Sequence, residues 1–228
     1  MKKSIKNKAL NRTLLAAMLS MLAFSCLEAE PTKSDLSVAQ VSKNVEDAQA
    51  GIQDVQMDLK MEMKDALSGS QQQVSGKVKI KSPDRIFVHY TQPSEQFLYV
   101  EKGLVQMYQP SQKMVYQQHN ANTADAPVYL GVGKELKKYI KISRVSIIRD
   151  SQNEIGLLFI PIADNAGFDK MKVFIHKKDW WPYQMEVETP SMTTKADFTN
   201  ISFNQGLKEG LFEFTPPKSA QVVEGSVF

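Results

Sequence analysis

The sequence predicts a mainly β, α+β domain: an unclosed antiparallel β-barrel, or strongly curved sheet, with an N-terminal helix and a short helical lid over a hydrophobic cavity. Three observations predict it. Strand-like segments recur about every dozen residues with turn signals between them. Many of these segments are apolar at every second residue, so the sheet has one continuous apolar face. That face cannot stay in water, because burying apolar surface is worth roughly 25 cal/mol per Å². One long helix and one apolar loop are the only cover the sequence offers, which favours an incompletely closed barrel with a lid.

The 228 residues suffice for one domain with a sizeable core. Residues 1–25 read as a secretory signal: Lys2, Lys3, Lys6, Lys8 and Arg12 precede the apolar run Leu14 to Phe24, and no acid occurs among them. The run is too short for a stable membrane-spanning helix. The formal charge of +3 falls to −2 once those five positive charges are removed, so the basic balance belongs to the leader and a nucleic-acid partner is not expected. Cys26, the single cysteine, closes this segment. Leu22-Ala23-Phe24-Ser25-Cys26 resembles a bacterial lipobox, which makes Cys26 a lipidation candidate and a possible mature N-terminus. Cleavage after Leu27-Glu28-Ala29 would discard it instead, and a cysteine without a role is the third reading. With no second cysteine, no internal disulfide forms and stability rests on the core.

Residues 26–34 form a polar linker, and 35–228 a single domain. From Asp35 to Gly51, apolar residues at Leu36, Val38, Ala39, Val41, Val45 and Ala48 give an amphipathic helix with Ser34 as N-cap. The period then changes to two. Val55, Met57, Leu59, Met61 and Met63 alternate with polar residues; after the turn Ser68-Gly69-Ser70, Val74, Gly76, Val78 and Ile80 do the same. A hairpin follows across Gln92-Pro93-Ser94: Ile86, Val88 and Tyr90 share one face, Arg85, Phe87 and His89 the other, and the returning Phe97 to Val100 is apolar on both. Leu104 to Tyr108 and Lys113 to Gln118 complete a meander. Residues 119–135 break the pattern around an apolar knot, Val128-Tyr129-Leu130, with short helical turns expected at 126–132 and 134–139. Strands resume at Lys141 to Arg149, Glu154 to Pro161, Lys170 to Lys177, Pro182 to Thr189 and Thr193 to Phe203. Asp179-Trp180-Trp181-Pro182 is a hairpin turn, either packed or a partner-binding patch.

No catalytic or metal-binding set emerges. His89, His119 and His176 lie on separate elements without metal-ligand spacing, and Asp164, Asp169 and Asp179 sit in or near turns, where aspartate is common for backbone reasons. No nucleophile-elbow, phosphate-loop or zinc-protease motif occurs. The expectation is a binding protein without a cofactor, not an enzyme. The 11 methionines suit a surface that adapts to variable shapes, although Met57, Met61 and Met63 individually read as ordinary core.

Lys81 to Pro110, KSPDRIFVHYTQPSEQFLYVEKGLVQMYQP, is similar to a pattern of the LolA-type periplasmic lipoprotein carriers of Gram-negative bacteria: a proline, an aromatic strand, T-Q-P, a turn, and Y-x-P. Gly210 to Gly225, GLFEFTPPKSAQVVEG, resembles that family's ending. Asp125 to Gly133 falls where the family has its lid helices, and Lys172 to Thr189 is like its late hairpin. The resemblance covers Leu36 to Gly225. It implies a hydrophobic concave face that shields the acyl chains of a lipoprotein in transit to the outer membrane. Ile86, Val88 and Tyr90, with Leu98, Val100 and Met107, would line the acyl cavity; Val128, Tyr129 and Leu130 would form the lid; apolar residues of the other parity would brace the convex side. Implied partners are acylated lipoproteins, an inner-membrane lipoprotein-releasing transporter and an outer-membrane acceptor, met as a monomer in the periplasm. An anchored acceptor of the same fold, held through Cys26, and a lipid-sensing regulatory module are the alternatives. Two positions depart from the family. Ser82 stands where an arginine commonly holds the lid, leaving Lys81 or Arg85 as substitute donors. Gln106 stands where an aromatic residue is usual, which would make the cavity wetter.

Overall fold

The computed structural model describes residues 35–119, 136–163, 166–225 and 227. Helix α1 spans Val38–Gln49. Ser37, not Ser34, caps it: the Ser37 hydroxyl accepts from the Gln40 N–H at 3.2 Å, and the Gln40 side chain accepts from the Ser37 N–H at 2.7 Å. This reciprocal arrangement satisfies two N–H groups that the first turn would otherwise leave free. Val41 and Val45, one turn apart, are buried and fix the face that α1 presents to the sheet. A second helix, α2, occupies residues 136–142. It buries Leu136 and Tyr139, and its Lys137 reaches Glu46 of α1 at 3.2 Å.

Among the described residues, twelve strands form one unclosed sheet. They are β1 (Asp54–Asp65), β2 (Gln71–Lys81), β3 (Arg85–Gln92), β4 (Gln96–Glu101), β5 (Leu104–Gln109), β6 (Met114–Gln118), β7 (Ser143–Asp150), β8 (Glu154–Pro161), β9 (Lys170–His176), β10 (Trp181–Glu188), β11 (Met192–Phe203) and β12 (Gln221–Glu224). Their order is β12-β6-β5-β4-β3-β2-β1-β11-β10-β9-β8-β7. Two meanders, β1–β6 and β7–β11, therefore meet along one seam, where β1 pairs with β11 from Val55↔Phe203 to Asp65↔Met192. The predicted strands are present with small shifts. The segment predicted from Lys141 is helical through residue 142 and becomes β7 at Ser143. The strand β12 is an addition to the predicted set; it lies parallel to β6, Val222 beside Val115.

The alternation of the sequence places one parity of every long strand in a single core. Met57, Leu59 and Met61 of β1 join Val78 and Ile80 of β2, Val88 of β3, Leu98 of β4, Val173 of β9 and Phe198 of β11, under Val41 and Val45 of α1. Gly76 is required where β2 and β3 come closest, beside a register shift: a Cβ there would sit 2.5 Å from the His89 carbonyl oxygen.

The other parity of β3–β6 is also covered, by the chain after β11. Asp54, almost fully buried, accepts from the backbone N–H groups of Gln205 (2.7 Å) and Leu207 (3.0 Å) and ties this strap to the start of β1. Lys81 donates to the Leu207 carbonyl at 2.6 Å, and Arg85 pairs with Glu101 at 2.8 Å and Glu209 at 3.2 Å. Phe212 is 1% exposed, and Phe214 stacks on Tyr99, ring centroids 4.6 Å apart. Phe97 bridges toward His89 (4.6 Å) and Phe87 (6.4 Å). These contacts explain the double apolarity of Phe97 to Val100. One parity enters the core and the other meets the strap.

Candidate functional site

The apolar face opens at one end. A cavity of about 270 Å³ lies between the ends of β1 to β5. Met61 and Met63 of β1, Val74 of β2, Tyr90 of β3 and Met107 of β5 form its apolar walls; Gln72, Gln92, Pro93, Ser94 and Gln96 form its rim. These residues meet because register sets them side by side: Met61 opposes Val74, Tyr90 opposes Gln96, and Leu98 opposes Met107. Among the described residues, none that lines this cavity is charged. At the adjoining β1–β2 turn, the N–H and hydroxyl of Ser68 bond to Asp65 and hold its carboxyl below the ordinary range.

Of the residues expected to line an acyl cavity, Tyr90 and Met107 do line this opening. Ile86, Val88, Leu98 and Val100 share their face but lie deeper, 8% exposed or less, paired as Ile86↔Val100 and Val88↔Leu98 within the packed core. The lid residues Val128, Tyr129 and Leu130 and the lipidation candidate Cys26 fall outside the described residues. Met61, Met63 and Val74, which the sequence marks only as core, supply the remaining walls. Their signal is present in the unbroken alternation of β1 and β2.

Three expectations change. Gln106 does not wet the cavity: it lies on the opposite parity from Met107, buried, donating to the Gln117 side chain at 3.2 Å. Lys81 and Arg85, the substitute donors for a lid-holding arginine, both reach the strap; the lid residues lie outside the described residues. The tryptophans belong to a packed hairpin: Trp181 is 2% exposed and begins β10, and Trp180, at φ 52°, packs against the core.

A larger cleft of about 820 Å³ lies at the other end of the sheet, bordered by His176, Lys177, Lys178, Asp179 and Asn200. Its charged and amide lining does not suit acyl chains. Nearby, Glu154 is held below the ordinary carboxylate range by the Tyr183 hydroxyl and by Arg149, and burial with the Glu154 contact pushes Tyr183 up to about 12. Among the described residues, no group of three or more His, Cys, Asp and Glu side chains is placed to hold a metal ion.

Several solved structures are similar to this chain. An uncharacterized conserved protein from Thermus thermophilus superposes with a TM-score of 0.53 at 14% identity, over 83% of this chain and 100% of that one. A LolA superfamily protein from Nitrosomonas europaea gives 0.44 at 10% identity, over 78% and 98%. The lipoprotein LppX of Mycobacterium tuberculosis gives 0.45 at 9% identity, over 77% and 99%. No curated protein matches the sequence. The family model described as outer membrane lipoprotein carrier protein LolA matches residues 50–215, from the end of α1 to the middle of the strap. The open sheet, its apolar core face and above all that match make this chain a member of the LolA family.

Proposed function

We propose that the protein binds the acyl chains of lipoproteins on its concave face and carries them across the periplasm toward the outer membrane. The observation that carries this reading is the methionine-walled cavity, uncharged among the described residues, at the open end of the sheet's core face. Methionine adapts to chains of differing shape. The glutamines of the rim suit the ester carbonyls of an acylated glycerol, to which their amides can donate.

The cavity's size sets a condition. About 270 Å³ is at or below the usual range for a small-molecule site, about 300–1,000 Å³. Three acyl chains therefore need Ile86, Val88, Leu98 and Val100 to give up some of their present packing. Each buried CH₂ contributes roughly 0.8 kcal/mol, and the packing lost on opening offsets part of that sum. This is what a reversible carrier needs. The test is release of a radiolabelled lipoprotein from inner-membrane vesicles by the purified protein. Soluble complex is expected, and Met63→Glu or Met107→Glu should abolish it with the circular dichroism unchanged. Release by both variants at the wild-type rate would overturn the cavity assignment.

Cys26 decides between a shuttle and an anchored acceptor, and the intact mass of the protein recovered from a bacterial envelope distinguishes them. A mass for a chain beginning at Cys26 with added acyl groups means an anchored form; a bare terminus near Glu30 means a soluble one.

A further inference from the structure

The cavity wall is built largely from side chains that an oxidant can change. Met61, Met63 and Met107 face a space whose other walls are Val74, Tyr90 and neutral polar groups. The methionines of the domain fall into two sets. Met57, Met61, Met171 and Met185 are 6% exposed or less, sealed in the core. Met63 and Met107 pack against that core but keep part of their surface open. Two others are also partly open and lie outside the cavity: Met114, whose sulfur accepts from the Tyr116 hydroxyl at 3.6 Å, and Met192, which begins β11. Access and a place in the cavity wall therefore coincide at Met63 and Met107.

A thioether turns from apolar to polar by gaining one oxygen atom. With hydrogen peroxide, the sulfur lone pair attacks one oxygen and the S–O bond forms as the O–O bond breaks. The other oxygen leaves as water after a proton shift. Sulfur loses two electrons and the peroxide gains them. A methionine sulfoxide reductase reverses the change: the sulfoxide oxygen leaves as water while a dithiol becomes a disulfide. The surroundings of Met63 suit the oxidised form. Gln72 stands directly opposite it in the β1–β2 register, so an amide donor is beside the new oxygen. The oxidised side chain can then stay in place while the wall becomes polar. An acyl chain laid against that wall would strip the sulfoxide of water and offer it no hydrogen bond.

We propose that Met63 and Met107 form a reversible modification site: oxidants of the peroxide class convert their thioethers to sulfoxides and close the cavity to apolar chains, and reduction reopens it. The proposal rests on the acyl-binding reading of this cavity and adds a control to it. The deeper residues of the same face, Val88 and Leu98, carry no sulfur and are 0% exposed, so the control acts at the mouth and leaves the packed core intact.

The test joins peptide mass mapping to a binding titration with the fluorescent acyl probe dansylaminoundecanoic acid. After graded hydrogen peroxide, Met63 and Met107 should each gain one oxygen before Met57, Met61, Met171 and Met185 do. Probe affinity should fall about tenfold, the loss one poorly paired polar group imposes, with the circular dichroism unchanged, and a methionine sulfoxide reductase with dithiothreitol should restore it. The Met63→Leu/Met107→Leu protein, compared with its own untreated form, should be indifferent to peroxide, whereas Met192→Leu should lose affinity as the wild type does. The reductase arm needs no substitution and stands if the double variant does not fold. Met63 and Met107 staying reduced while the buried methionines oxidise, an affinity unchanged with both sulfoxides formed, or a loss that the reductase does not reverse would each overturn the switch alone. No probe binding by the untreated protein would instead overturn the acyl reading beneath it.

Discussion

A single carbonyl dictates Gly76. With the His89 oxygen 2.5 Å from where a Cβ would stand and Tyr90 Cα at 3.1 Å, both backbone atoms, no side chain can swing aside. Gly76→Ala should therefore cost about 1–3 kcal/mol, the usual range for overpacking, read as a lowered urea midpoint. Tyr183 gives a second prediction at this scale. Its folded pKa is raised to about 12, so the stability it contributes is complete below the unfolded value of about 10 and is lost as pH rises through about 12. Glu154, held low by the Tyr183 hydroxyl and Arg149, behaves oppositely: its contribution is present above the unfolded carboxylate range and lost as pH falls through its lowered pKa. Tyr183→Phe should shrink the drop in melting temperature between about pH 8 and about pH 11.5. An unchanged drop would mean the tyrosine proton is not coupled to folding.

At the scale of elements, strand interior and strand end do different work. Leu98, fully buried in mid-strand, should cost about 2–5 kcal/mol as Leu98→Ala; a charge there would unfold the sheet, which is why the end-of-strand methionines are the useful functional probes. The strap is the second element at issue. Asp54→Ala removes the acceptor for two strap N–H groups and should cost about 1–3 kcal/mol, with faster hydrogen exchange confined to residues 205–214. The strands were legible because β1 and β2 each alternate over seven or more residues, and a half-buried strand leaves that record. Three things were not. Met61 and Met63 carry the same alternation as Leu59, and period alone cannot tell a cavity wall from core. Residues 204–220 have no period, since single side chains such as Asp54, Lys81 and Arg85 hold them from far away in sequence. The start of β7 was blurred because Lys141-Ile142-Ser143-Arg144 carries no glycine or proline to mark the helix end.

At the scale of the whole molecule, the seam between β1 and β11 joins the two meanders, and the strap ties the last of the sheet to its first strand. Long-range pairing of this kind folds slowly, because the loop must close before the contacts reward it. A chain stopped at Pro190 keeps β1–β6 but lacks β11, and should show no cooperative thermal transition by circular dichroism. A sharp transition in that truncated chain would show that cooperative folding does not need the seam. The seam also has a consequence in time. Asp54 and the backbone it holds at Gln205 are 151 residues apart. At roughly 5–20 residues per second of synthesis, about 8–30 s separate the appearance of the one from the other. Throughout that interval the methionine-rich first strand has a bare side and no permanent neighbour to fill it, so a newborn chain stays exposed to wrong pairing until β11 has been made.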